Sequence, residues 1–446
     1  MSQIPVSDHD VLVPSFKQSW VHSKLLGLAL PLIITNVSLP LIGLVDTAVL
    51  GHMGQVEQLA GASVAAFILT QLYWICGFLR MSASGLSAQA KGAKDGEWNA
   101  KVLQQGLLLS MLLAFAVLLL QQWIFAAGMA LSEFSGNAQQ ASAEYFNMRV
   151  WGAPAVLMNL TLMGWLVGQQ RNRMVMIIQI SANLLNLILN LFFVYVLDMQ
   201  VAGVALASVI AEYTILLVAL LVSTGLIKFT FPLSLNGFSQ LLKLNHHILI
   251  RNLALQFCLA FVTFQGARFG DNIAALNSIL MQFFVLIALG LDGIANATEA
   301  LVGQSKGAKK GMGVWRWTLI GLFWSAIGAL LYTLLFALLA TDIVRLLTDQ
   351  PELISLAVLF LPLMVALPLI AHWSFLFDAV FIGLTRAKAM QHSMLVSALV
   401  FYLTWLGLSN QENYGLWLAM LVFLAMRGLS MGGYFIYLHR KRELAL

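Results

Sequence analysis

Twelve apolar runs, each long enough to cross a bilayer as a helix, leave this chain few folds to adopt. The first six fall at about 24–50, 58–84, 102–127, 145–169, 174–197 and 203–227, and the second six at about 248–268, 273–303, 315–341, 354–384, 389–409 and 414–438. In hydrocarbon every backbone N–H and C=O must be bonded inside its own segment or around a closed barrel. Barrel strands alternate in polarity over about ten residues. These runs are apolar on both faces and far longer, so they predict an all-α integral membrane protein of twelve transmembrane helices. Charged residues make up only 10% of the chain, against about 25% in soluble domains. The net charge of +5 is scattered over the ends of the runs, which argues against a nucleic-acid surface. Cys76 and Cys258 both lie inside apolar runs and form no disulfide framework. The first twenty residues are polar, with Asp8 and Asp10, and show no cleavable signal.

Lysine and arginine in short loops set orientation. One side carries Lys17, Lys24, Lys91, Lys94, Lys101, Arg171, Arg173, Lys228, Lys243, Lys306, Lys309, Lys310, Arg316, Arg386, Lys388, Arg440, Lys441 and Arg442. The other has mainly Arg268 and Arg345. Both termini are therefore expected in the cytoplasm of a bacterial inner (plasma) membrane protein.

The chain repeats itself. LSAQAKGAKDG from Leu86 is matched by LVGQSKGAKKG from Leu301, 215 residues later. At that offset Gly168, Arg171 and Arg173 fall on Gly383, Arg386 and Lys388, and Gly51, Ala60 and Ser63 fall on Gly266, Ala275 and Ser278. Six spans per repeat gives two lobes of equal orientation, related by a pseudo-twofold along the membrane normal. The expected division is an N-lobe at 1–229, a cytoplasmic linker at 230–247 with Pro232 and Gly237, and a C-lobe at 248–446.

A charge inside such a run is expensive and marks a functional candidate. Asp46 is one, in the outer part of the first span. Gln179, Asn183, Asn186 and Asn190 recur at steps of four, three and four, making one polar stripe along the fifth span. Counting from the loops brings Asp46, Asn186, Asn190 and Ser208 to a common depth, with Glu212 one turn beyond Ser208. Protonating Asp46 removes a buried charge, whereas sodium needs several oxygen ligands. The plainer readings are a structural hydrogen bond for Asp46 and interhelical glue for the amides. Pro31 and Pro40 interrupt the first span as a static bend or as a hinge answering to Asp46.

In the second half Asp292, Asn296 and Glu299 share a helix face, Asp378 lies toward the cytoplasmic end of the tenth span, and Arg427 is deep in the twelfth. Arg427 should pair with one of these acids, either as a structural ion pair or in transport. Arg80 and Arg149 lie near expected span ends and can snorkel. No HExxH, Walker loop or GxSxG is present, and the adjacent His246 and His247 make poor metal geometry. No catalytic residue, cofactor or resident metal is expected, and without a nucleotide site transport would draw on an ion gradient.

Leu44-Val45-Asp46-Thr47 followed by Gly51, Pro31 fifteen residues before the acid, NLILNLFFVYVL from Asn186 and VAGVALAS ending at Ser208 resemble the multidrug and toxic compound extrusion (MATE) transporters. LDGIANATEALVGQSKGAK from Leu291 and FDAVFIGLTRAKAM from Phe377 are similar to its DinF branch. The resemblance runs along nearly the whole chain. It implies a two-lobed bundle of twelve helices that alternates access and exports small amphipathic organic compounds in exchange for protons or sodium. It carries over Asp46, Asn186 and Ser208 as cation-site members and Pro31 as the bending point of the first helix. Archaeal members often have aspartate where this chain has Asn190. One carboxylate fewer tilts the expectation to protons, with sodium at Asp46, Asn186 and Asn190 the alternative. The acidic lining points to cationic cargo, with bile-salt-like anions the alternative for this branch, handled by a monomer in the lipid bilayer. A lipid-linked precursor flippase of related fold is the rival, although its pyrophosphate cargo would want a basic cavity. A membrane scaffold or receptor without transport is a third reading.

Overall fold

The computed structural model describes residues 13–51, 56–130, 136–227 and 234–446. The polar start with Asp8 and Asp10, and Pro232 of the linker, lie outside them. Twelve helical segments are long and apolar enough to cross a membrane, and among the described residues there is no strand. The protein is an all-α, multi-pass membrane protein.

Several spans are longer than their apolar runs. The second covers Glu57–Ala93, as helices Val56–Ile75 and Phe78–Ala93 with a turn at Cys76 and Gly77. The fourth covers Asn137–Gly168 and is broken by a 3-10 turn at Val150–Gly152, just before Pro154. Polar ends extend these helices because they bond sideways. Ser87 Oγ donates to Trp165 O at 2.9 Å, and Lys91 Nζ donates to Gln169 O at 2.7 Å. The seventh helix starts at Phe238, inside the stretch expected as linker. Gly237, at φ 84°, makes the turn that starts it, and Leu241 N bonds to Gly237 O at 3.1 Å.

Two compact units emerge, and their boundary differs from the expected one. One is Ile34–Leu241; the other joins Leu242–Leu446 to the segment ending at Ile33. The first helix, Ser19–Gly51, is thus shared, and the change falls between Pro31 and Pro40. The physical reason is in its neighbours. Gly293 of the eighth span lets Ile33 and Ala29 approach, since a Cβ there would sit 3.0 Å from Ile33 N. Beyond Ile34, Asn183 of the fifth span donates to Ser38 O and Oγ, both at 3.2 Å. Ahead of the helix, Arg316 donates to Pro14 O at 3.1 Å, and His22 bridges Phe16 O and Trp324 Nε1 at 2.8 and 3.0 Å.

Within each unit the repeat is a set of equivalent contacts. Lys91 on Gln169 O is matched 215 positions later by Lys306 on Leu384 O, at 2.6 Å. Each ammonium caps the carbonyl end of a helix, where the dipole favours a cation. Lys94 and Lys309 turn left-handed at φ 56° and 57°, as do Gln170 and Thr385 at 57° and 49°. A Cβ on Gly168 would lie 2.3 Å from Ser84 O, and one on Gly383 would lie 2.6 Å from Glu299 O. These two glycines are required by helix contact, not by torsion.

Candidate functional site

The unit Ile34–Leu241 holds the polar stripe. Along the fifth span, Asn172–Leu191, the four amides divide their work. Gln179 Nε2 donates to Asn183 Oδ1 at 3.1 Å, and Asn183 holds the first helix at Ser38. One and two turns on, Asn190 Nδ2 donates to Asp46 Oδ1 at 2.7 Å and to Asn186 Oδ1 at 3.2 Å. Asn186 Nδ2 reaches Ser208 Oγ at 3.1 Å, and Ser208 Oγ donates to Asp46 Oδ2 at 3.3 Å. Asp46, Asn190, Asn186 and Ser208 thus close a ring of four groups from three spans. Both carboxylate oxygens of Asp46 receive a donor.

Local sequence explains the convergence. A four-residue step stacks Asn186 and Asn190 on one face. Small residues let the sixth span, Gln200–Thr224, come close, and Gly203 packs against Phe193 and Met199. Immediately after Asn190 the fifth helix widens into a π turn at Phe192–Val196, a feature that recurs at functional sites. Asn186, Asn190 and Ser208 are buried, while Asp46 is half-buried. Asn190 Oδ1 is buried with no donor among the described residues.

Glu212 does not touch Asp46. Its carboxylate accepts from Asn159 Nδ2 at 3.0 Å and lies 3.7 Å from Arg149 Nη2. Arg149 also does not snorkel, since its side chain is only 16% exposed. The fourth span starts at Asn137, eight residues before the expected start, so Arg149 is interior to it.

The second unit gathers charge elsewhere. Asp378 Oδ2 is held by Arg427 Nη2 at 2.8 Å and by Arg251 Nη2. Arg251 Nη1 donates to Asn252 Oδ1 at 2.8 Å, and the Arg427 guanidinium sits 5.8 Å from the Phe375 ring centre. Arg251 was missed from the sequence, although it breaks the same rule that exposes Arg427: a charge inside an apolar run. Asp292 acts on Arg427 electrostatically, and Glu299 is fully buried against the Gly383 contact. Pro31 is buried and Pro40 is exposed within the continuous first helix.

The repeat shows that the polar ring belongs to the first half alone. Asp46, Asn186 and Asn190 fall on Phe261, Phe401 and Trp405, 215 positions later. Those rings meet as the polar groups do, Phe261 with Trp405 at 5.1 Å and with Phe401 at 5.7 Å between centres. One helix arrangement therefore carries a polar knot in one unit and an aromatic one in the other.

Comparison with known proteins adds to this geometry. The chain matches the family MatE over residues 31–192 and 248–404. It is 41% identical over 414 residues to DNA damage-inducible protein F of Escherichia coli (strain K12), covering 91% of this chain and 90% of that protein. It is 27% identical over 353 residues to multidrug resistance protein NorM of Vibrio vulnificus (strain YJ016), covering 75% and 76%. Among solved structures, the outward-facing conformation of a multidrug resistance MATE family transporter of the MOP superfamily superposes with a TM-score of 0.86, at 17% identity and full coverage of both chains.

Proposed function

The chain belongs to the MatE family, whose members are transporters and not enzymes, and from that premise we propose that it is a proton-coupled exporter of small amphipathic cations with Asp46 as its coupling acid. The supporting observation is the ring around that acid. Asp46 is a lone carboxylate among amides and a hydroxyl. A charge in such surroundings is costly to keep. A single proton removes the cost, and the donor-free Asn190 Oδ1 offers an acceptor for it after a turn of the amide. Sodium would find the two carboxylate oxygens of Asp46, two amide oxygens and a hydroxyl, with a single negative charge among them.

In the proposed cycle Asp46 is ionised while the path is open outward. A proton enters, neutralises it and weakens its claim on Asn190 and Ser208. The outer part of the first helix, beyond Ile34, is then freed to rearrange between Pro31 and Pro40. Cargo leaves outward, access switches, and the proton is released to the cytoplasm. Proton and cargo must have opposed effects on that two-state element for their movements to be coupled. Both termini lie inside, by the distribution of basic loops.

The test uses ethidium, a lipophilic organic cation, in proteoliposomes. A pH gradient should drive export by the native protein, and a sodium gradient of equal size should not. Asp46→Asn should fall to the level of empty liposomes at unchanged protein content. Sodium-driven export, or native rates in that variant, would defeat the reading.

A further inference from the structure

We infer that Arg149 and Glu212 complete the Asp46 site, and that the sum of the three charges, minus one, sets the uptake of one cation per cycle. This inference rests on Asp46 being the coupling acid. Glu212 is one turn beyond Ser208 on the sixth span, and Ser208 donates to Asp46. Glu212 is therefore linked to Asp46 through Ser208, one helical turn away, without touching it. Asn159 fixes Glu212 twice, through its backbone carbonyl at 2.9 Å and its carboxylate at 3.0 Å. Arg149 stands 3.7 Å from the other carboxylate oxygen and within electrostatic reach of Asp46. Its remaining titratable neighbours are the phenols Tyr145, which also hydrogen-bonds it, and Tyr73; as phenols they add no charge to the count.

Two details show that this guanidinium has room to serve two acids. Its Nη1 makes no hydrogen bond among the described residues. Gly152 keeps the space around it, since a Cβ there would lie 2.7 Å from Nη1. An arginine cannot give up its proton in such a place. It is a resident cation, and it cancels one of two carboxylates. The uncancelled charge is what an exchangeable cation must neutralise, because net charge is unfavourable in a low-dielectric interior.

The count makes variant-specific claims. Glu212→Gln leaves Asp46 and Arg149 to cancel each other, so Asp46 stays ionised and coupling is lost with the acid intact. Arg149→Met leaves two carboxylates and calls for two cations. The double variant returns the sum to minus one and restores a single cation. A purely structural ion pair would also make the double variant fold better than either single one, so the count is read from the carboxyl band of folded protein and not from stability.

Infrared titration of purified protein reads this without any cargo, and the amide band of the same sample reports folding. The native protein should lose one protonated-carboxyl band as pH rises, and Asp46→Asn should lack that band. Glu212→Gln should lack it too, Arg149→Met should give about twice the native amplitude, and the double variant should regain about the native amplitude. Arg149→Lys, which keeps the charge, should match the native protein. A native band in Glu212→Gln, or a double variant resembling Glu212→Gln, overturns the charge count. If either single variant fails to fold, the double variant and Arg149→Lys still decide it. If the native and Asp46→Asn titrations superpose, the role of Asp46 itself is overturned.

Discussion

Two aspartates within the spans of this molecule are held in opposite ways. Asp46 meets only neutral donors, whereas Asp378 is gripped by two guanidinium groups. A carboxylate among amides can lose its charge without stripping a cationic partner of its counterion. One between arginines cannot, because two uncompensated cations would remain buried. Asp378→Asn should therefore cost about 3–5 kcal/mol of stability, the usual result of removing one partner of a buried ion pair. Asp46→Asn should cost less, since it strands no charged partner, although its single amide oxygen can accept from only one of Asn190 and Ser208. Thermal unfolding of the two variants in detergent, side by side, checks the contrast, and equal losses would refute it. The polar ring was within reach of the sequence because a four-residue step and a count of depth suffice to bring Asn190 and Ser208 to Asp46. Partner choice was not. Nothing in spacing says that Glu212 takes Arg149 or that Asp378 takes Arg251, because such pairs are settled by packing between distant spans.

At the scale of elements, close helix contacts replace the hydrophobic drive that lipid cannot supply. The sequence marks the relevant glycines only through the repeat, and it misplaces span ends where polar residues continue a helix. Lys91 and Lys306 look like loop charges, yet each ends up capping a neighbouring helix at 2.7 and 2.6 Å. The same error put Arg149 at a membrane edge. Gly168 and Gly383 are the points of closest approach, and a methyl group there meets backbone oxygen at 2.3 and 2.6 Å. Backbone cannot step aside as a flexible side chain can, so Gly168→Ala or Gly383→Ala should lose about 1–3 kcal/mol. Gly433 has nothing within 4 Å of its would-be Cβ and lies in a regular helix. Gly433→Ala should gain about 0.5–1 kcal/mol from helix propensity. Melting temperatures moving in opposite directions would verify that contact, and not torsion, is what these positions demand.

At the scale of the whole molecule, orientation follows from charge and can be read out with cysteine chemistry. Basic residues gather at alternate ends of the spans, and the cytoplasmic assignment rests on their retention inside during insertion. The two native cysteines, Cys76 and Cys258, are both buried, so a membrane-impermeant maleimide should find little to react with in the parent protein. Lys388 and Asp349 are both exposed, at the start of the eleventh span and in the turn before the tenth. A single span, Pro351–Gly383, separates them, so they must lie on opposite sides of the membrane. Asp349→Cys should be labelled in intact cells, and Lys388→Cys only after the membrane is opened. The reverse pattern would invert the topology. It would also place the Asp46 ring, set near the far end of the first span, toward the cytoplasm. A proton would then reach Asp46 from the inside first, and the proposed cycle would have to run backwards to export anything.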